Sequence, residues 1–293
     1  MSMLIAFAVP GFIALIVLES ILTASRKVRG YETKDTFASL SMGVGNVVVG
    51  LFAKAWAFVV YDAASMLAIG QVDFTWWTLP LLLVGEDFCY YWFHRMHHEV
   101  RMLWAGHVNH HSSTRYNLST ALRQCWTTPF TGPIFWVPLA LIGFDPLAIV
   151  FAQSVSLIYQ FWIHTELIGG LGPLESFLNT PSHHRVHHGR NVRYLDRNYG
   201  GILIVWDRLF DSFEPESEPV DYGLTKNIHT FHPVKIAFHE WAAMFCDARN
   251  AETWHDSVSY LLQPPGWSPY RSTQTAREMQ ADLLKVRGSH QLR

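Results

Sequence analysis

The chain has 293 residues, enough for one large domain or two small ones, and its 22 Lys+Arg nearly balance 24 Asp+Glu for a formal net charge of −2. Charged residues are only 16% while hydrophobic residues reach 49% and aromatic residues 14%, against about 25% charged in an ordinary soluble domain. That balance points to a membrane protein, and without a basic patch it excludes a nucleic-acid partner. Cys89, Cys125 and Cys246 are isolated, with no C-x-x-C pair, so they read as reduced, buried thiols and not as a disulfide framework.

Residues 3–24 are almost wholly apolar, broken by Pro10 and Glu19, and Arg26, Lys27 and Arg29 follow directly. A secretory signal carries its positive charges before the apolar run. The pattern therefore predicts an uncleaved span with its N-terminus outside, and Glu19 near the charged end where its cost is least. A second run, 40–61, contains Gly43, Gly45 and Gly50, small residues that let another helix approach closely. Lys54 within it must either snorkel or pair inside the bundle.

The third run, 76–93, opens with the aromatic pair Trp76-Trp77 and carries Glu86 and Asp87, carboxylates that inside a span are functional candidates. Asp87, Tyr91, His94 and His98 share one helix face. Asp87 is thus a candidate metal ligand or, in preference, an acceptor that orients an imidazole.

That span runs into the first of three H-x-x-H-H stretches: His94-Arg-Met-His97-His98, His107-Val-Asn-His110-His111 and His184-Arg-Val-His187-His188. On a helix, positions i, i+3 and i+4 lie on one face, so each stretch aims its imidazoles in one direction. Histidine is the commonest metal-binding side chain, and one zinc takes about four protein ligands at most. The number of imidazoles therefore points to two ions, and imidazole suits zinc, copper, nickel and iron alike. His97 is a spare, and His183, four residues before His187, leaves the choice between His183 and His184 open.

Residues 94–125 are polar. Apolar character returns at 126–164, interrupted by Pro129, Pro133, Pro138 and Gly143-Phe-Asp-Pro146. A membrane hairpin turning at 143–146 fits, with the prolines weakening its first arm. His164 closes the second arm at the same membrane face as the triplets, as a possible further ligand or close neighbour. Arg26, Lys27, Arg29, Lys34, Arg95, Arg101, Arg115 and Arg123 all fall in segments assigned inside, and 62–75 and 143–146 hold no Lys or Arg. By the positive-inside rule the triplets are cytoplasmic.

From 165 onward the chain is mixed in character. Ser182 reads as the cap of a helix ending at Gly189. Residues 211–222 read as an acidic, proline-broken surface loop, and the helix opened by Pro233 carries a stripe, Val234, Phe238, Trp241 and Phe245, assigned to core packing over bilayer contact. His229, His232, His239, His255 and His290 have no ligand spacing. The fold expected is an all-α integral membrane protein of four or five membrane helices or hairpin segments. Residues 1–164 form the membrane region, with the cytoplasmic segment 94–125 inside it, and 165–293 form a cytoplasmic helical cap that completes a histidine-rich dimetal site.

Two metals where a bundle meets the cytosol suggest oxygen chemistry on a lipid, work that belongs to iron or copper and needs electrons from a soluble donor. Two other classes use histidines in membranes. A metal transporter would hold its site near the bilayer midplane, and a zinc-dependent hydrolase would need fewer imidazoles.

The motifs also resemble a known family. His94-x3-His98 within Asp87-Phe-Cys-Tyr-Tyr-Trp-Phe-His-Arg-Met-His-His-Glu99, then His107-x2-His110-His111, then His184-x2-His187-His188, look like the eight-histidine signature of the fatty acid hydroxylase (sterol desaturase) superfamily, across residues 80–215. Within it, Gln160-Phe-Trp-Ile-His-Thr-Glu166, the stretch Pro181–Asn191 and the stretch Asn198–Asp207 are most similar to alkylglycerol mono-oxygenases. The resemblance implies an integral membrane, non-haem di-iron enzyme that uses O2 to hydroxylate or desaturate an ether lipid, a fatty acyl chain or a sterol. It implies His94, His98, His107, His110, His111, His184, His187 and His188 as iron ligands, leaves His97 and His183 outside them, and makes Glu99 a candidate site residue. Tetrahydrobiopterin or a redox protein would supply electrons, in an inner membrane or the endoplasmic reticulum.

Overall fold

A computed structural model describes residues 3–26 and 30–291, with side chains from 4 to 286 in those ranges. Lys27 and Arg29, and the side chain of His290, lie outside the described residues. Among the described residues the chain is helical, with isolated bridges in place of strands.

Helices α1 (Met3–Ser25) and α2 (Thr33–Ser65) are the two long and apolar enough to cross a membrane. Glu32 starts α2 by accepting from the Lys34 and Asp35 amides, satisfying donors that a helix start leaves free. At 33 residues, α2 is about 50 Å long and exceeds a hydrocarbon core of about 30 Å. Phe7, Ile13, Val17 and Ile21 on α1, and Val44, Val48, Leu51 and Phe52 on α2, face outward. A contiguous apolar exterior of this kind marks contact with lipid or another protein. Lys54 is exposed on the same helix.

Gly43 and Gly45 do admit a close neighbour, but it is the 3-10 turn Thr120–Leu122 and the segment after it, not a second membrane helix. A Cβ on Gly43 would lie 2.9 Å from the Leu122 carbonyl, and one on Gly45 would fall inside the Trp126 indole, whose Nε1 donates to Met42 O at 2.9 Å. Gly50 faces open space.

Helix α3 (Thr78–Glu99) joins the expected third span and the first triplet in one rod, and α4 (Arg101–His107) follows at once. The first arm of the expected hairpin breaks into α5 (Thr128–Thr131), a 3-10 turn (Gly132–Trp136) and α6 (Val137–Ile142). Pro129, Pro133 and Pro138 each open one of these pieces, because proline cannot donate inside a helix but fits its first turn. Gly143, at φ 115°, makes the turn, and Asp145 then caps α7 (Pro146–Trp162) by accepting from Leu147 N at 2.8 Å.

Beyond it lie α8 (Pro181–His187), α9 (Val205–Leu209), α10 (Pro233–Arg249), α11 (Trp254–Leu262) and α12 (Ala276–Gln291). Tyr61, Leu82, Leu139 and Ile149 pack α2, α3, α6 and α7 together, while Ala38, Met42, Ile236 and Ala237 seat α10 on the start of α2.

Three expectations are corrected here. Helix α8 starts at Pro181, with Thr180 and not Ser182 at the N-cap position and no side-chain capping bond, since proline at the first position presets the helical φ. The α10 stripe is not core: Ile236, Ala237 and Met244 are buried, whereas Val234, Phe238 and Phe245 are exposed. Cys246 is exposed too, and only Cys89 and Cys125 are buried thiols. The acidic stretch 211–222 is less free than its composition suggests, because Glu216 pairs with Arg185 at 2.7 Å and Asp221 with Arg190 at 2.7 Å, bracing the third histidine motif.

Candidate metal centre

Five short segments converge on one buried volume. The end of α3 brings His94 and His98, and α4 ends on His107. A 3-10 turn (His110–Ser112), capped by the Asn109 side chain accepting from His110 N at 3.0 Å, presents His110 and His111. His164 follows the end of α7, while α8 carries His184 and His187 with His188 as its C-cap. The second triplet is therefore not one helix, as its spacing suggested: α4 stops at His107 and the chain tightens into the 3-10 turn.

The side chains form two groups whose ligand atoms lie within 4.8 Å of one another: His94, His98, His107, His111 and His187, and then His110, His164, His184 and His188. All of these are buried. The groups touch, with the His111 and His188 rings stacked 4.4 Å apart.

Hydrogen bonds fix which ring nitrogens face inward. A carbonyl can only accept, so His94 Nδ1 donates to Tyr199 O (2.8 Å), His110 Nδ1 to Arg123 O (3.3 Å), His164 Nδ1 to Gln160 O (2.7 Å) and His187 Nδ1 to Arg197 O (2.9 Å). A neutral imidazole has one N–H, so each of these rings turns an Nε2 lone pair to the centre. His110 Nε2 and His164 Nε2 then stand 3.2 Å apart as two acceptors with no proton between them. The Nε2 atoms of His98, His187 and His188 are buried without any partner.

Buried lone pairs aimed at each other are unfavourable unless an electrophile sits between them. Two imidazoles on one ion, with bonds of about 2.1 Å at near right angles, stand about 3 Å apart. The spacing here is 3.1 Å for His94–His107 and 3.0 Å for His164–His184. The donor set therefore fits a pair of metal ions.

The electrostatics agree. Burial pushes His110 down to about 4 and His187 to about 3, and with neighbouring imidazoles it holds His107, His111, His184 and His188 well below the ordinary histidine value. All are neutral near pH 7, the form that binds a metal.

A second set of residues holds the ligands in place. Asp196 Oδ1 lies 3.4 Å from His98 Nδ1, on a backbone held at φ 54°. Arg123, whose carbonyl fixes His110, is fully buried and pairs with Asp35 of α2 at 2.5 Å. Glu19 of α1 accepts from the Thr165 hydroxyl, the Leu118 amide (2.7 Å) and the Tyr31 hydroxyl (2.5 Å), tying the first helix to the residue after His164. It is buried by these bonds, which is a different reason for its tolerance than a place near the membrane edge.

Residues 79–212 match the fatty acid hydroxylase family. The chain carries a fatty acid hydroxylase domain. The chain is 43% identical over 270 residues to the alkylglycerol monooxygenase of Homo sapiens, covering 89% of this chain and 59% of that protein. It is 45% identical over 269 residues to the Danio rerio enzyme of the same name, with the same two coverages, 89% and 59%. An ornithine lipid hydroxylase of Rhizobium tropici is 30% identical over 149 residues, half (50%) of this chain and 45% of that protein. The chain thus spans about three-fifths (59%) of the length of these two alkylglycerol monooxygenases. No solved structure matches it at a significant level.

Within the hydroxylase domain the eight histidines of the signature and His164 are brought together. His97 is not among them: its Nδ1 donates to Phe93 O (2.7 Å) and its Nε2 pairs with the Thr131 hydroxyl (3.0 Å). His183 points instead at Phe213, and of the two it is His184 that joins a histidine group. Asp87 orients no imidazole. Its oxygens accept from Ile202 N (2.6 Å), Leu203 N (3.0 Å) and Trp206 Nε1 (2.9 Å), anchoring the turn before α9 to α3. Glu99 pairs with Arg95 at 3.0 Å and Arg277 at 3.3 Å, outside both histidine groups.

Asp196 and Asp207 carry no spacing signal in the sequence. Asp207 accepts from Tyr199 N and Gly200 N, both at 2.7 Å, and so places the carbonyl that fixes His94. A cavity of about 1200 Å³ opens over His98, His111, His187 and His188, walled by α4, residues 223–230 and the segment from α10 to α12.

Proposed function

We propose that the chain is a membrane-bound, non-haem di-iron oxygenase that uses O2 to hydroxylate a lipid, with an ether-linked alkylglycerol the first substrate to test. The observation that carries this reading is the pair of neutral, inward-facing histidine groups in contact with each other. The relatives named alkylglycerol monooxygenase and ornithine lipid hydroxylase support a lipid as the molecule oxidised.

The five histidines around His107 would hold one iron and the four around His110 and His164 the other. Bound there, the irons would supply the redox activation of O2 that an unactivated C–H bond requires. The protein's own part is positioning and exclusion of water. Carbonyls of Tyr199, Arg123, Gln160 and Arg197 lock the rings. Tyr199 and Trp104 lie against His98, with ring centroids 5.4 and 4.9 Å away, and Tyr116 lies against His188 at 5.1 Å, closing the centre on those sides.

In this reading residues 1–164 embed the protein with the N-terminus outside, and 165–293 cap the centre on the cytoplasmic side of an inner membrane or the endoplasmic reticulum. The basic residues gathered at the histidine end support that orientation. Electrons come from tetrahydrobiopterin or a redox protein.

The test is lipid turnover with and without O2 in membranes containing the protein. Oxygen-dependent product that His110→Ala abolishes supports the oxygenase, whereas ester hydrolysis persisting without O2 would replace it with a zinc-dependent hydrolase.

A further inference from the structure

Between α5 and α10 lies a groove of about 410 Å³, lined by Thr127, Phe130, Thr131, Phe238, Trp241 and Phe245. Three of its aromatic rings remain open to the outside, Phe130 at 48%, Phe238 at 43% and Phe245 at 56% exposure. Trp241 Nε1, in the same wall, is buried with no acceptor. A buried indole N–H ordinarily finds a partner. An apolar chain that carries an oxygen would satisfy both the rings and the donor.

The groove joins two surfaces. On the outside, Trp56 of α2 donates from Nε1 to Phe130 O at 3.1 Å, which sets the rim beside the outward apolar face formed by Leu51 and Phe52. On the inside, Phe238 lines both the groove and the cavity over His98 and His111, so the two spaces adjoin at this residue. The cavity beyond it carries polar side chains such as Thr225, Asn227 and Ser268 in its wall.

We propose that the α5–α10 groove is the entry for the lipid substrate from the bilayer beside α2. The polar head leads past Phe238 into the cavity, the alkyl tail remains against Phe130 and Phe245, and Trp241 Nε1 is the donor that the head-group oxygens meet on the way. This rests on the lipid oxygenase reading and adds the route and its gate.

The experiment uses the full chain in nanodiscs and a monoalkyl glyceryl ether with a diazirine at the tail end. Irradiation and peptide mapping should place adducts in 127–131 and 238–245, and unlabelled glyceryl ether at about ten times its Kd should suppress them about tenfold. Adducts confined to α1 and α2 overturn the proposal, as do groove adducts that the competitor leaves unchanged, which mark ordinary bilayer lipid. Phe238→Trp, which narrows the passage, should raise KM about tenfold, or about 1.4 kcal/mol, at unchanged iron content. An unchanged KM overturns the gate. Labelling needs no turnover, so its failure is separable from failure of the oxygenase reading, which iron content decides.

Discussion

His110 and His164 sit 54 positions apart in the chain, yet their Nε2 atoms stand 3.2 Å apart and neither can donate to the other. Each ring has spent its proton on a backbone carbonyl, and the pair is left to share an electrophile. His164→Ala should therefore lower bound iron from two ions toward one per chain, since it removes one of the four histidines in its group. Turnover should drop by more than about 100-fold, beyond the loss typical for residues outside the ligand shell. Iron assay of the purified variant beside an O2-uptake measurement checks both.

Asp196 is the carboxylate nearest a ring nitrogen of the centre, at 3.4 Å from His98 Nδ1. Partners of this kind orient a ligand and raise its basicity, and losing one commonly weakens metal binding about 10–100-fold. Asp196→Asn should show that loss in a chelator competition titration with little change in thermal stability of the metal-free protein. Unchanged affinity would mean that Asp196 only shapes its loop.

The Arg123–Asp35 pair ties α2 to the loop that carries His110, and both partners are buried. Removing one partner of a buried pair strands a charge and costs about 3–5 kcal/mol. Asp35→Leu alone should destabilise by about that amount, and the double variant Asp35→Leu with Arg123→Met should recover much of it. Denaturation in detergent micelles, read by circular dichroism, measures both.

The metal-free protein should lose stability as pH falls. Unfolded histidine titrates near about 6.5, while burial holds His110 at about 4 and His187 at about 3 in the fold. Below pH ~6.5 the unfolded chain binds protons that the fold does not, so stability declines from there down to the folded values. Asp196 and Asp207, pushed up by burial to about 7 and about 6, act in the opposite direction but are outnumbered by the buried imidazoles. A Tm that stays level between pH 7 and pH 5 would contradict this, and bound iron should remove much of the slope by excluding protons from the rings.

The elements legible in the sequence are those with a period. The apolar runs became α1 and α2, and H-x-x-H-H spacing placed His94 with His98 on α3 and His184 with His187 on α8. His164 has no such spacing; only its place at the end of an apolar helix hinted at the centre, and its partners come from α8 and the 3-10 turn. Asp87 misled because helix-face geometry placed it with the histidines, while the amides that claim it belong to residues 202 and 203. The α10 stripe likewise read as core because periodicity says which residues share a face but not what that face meets. Contacts between residues far apart in sequence decided each of these cases.

The most direct measurement is iron content with Mössbauer spectroscopy on protein purified gently from membranes and loaded with iron-57. The expected result is about two irons per chain in a coupled pair, one for each histidine group. If zinc has taken their place, anaerobic reconstitution with iron should restore the pair. One isolated iron per chain, or no iron bound after reconstitution, would contradict the di-iron centre.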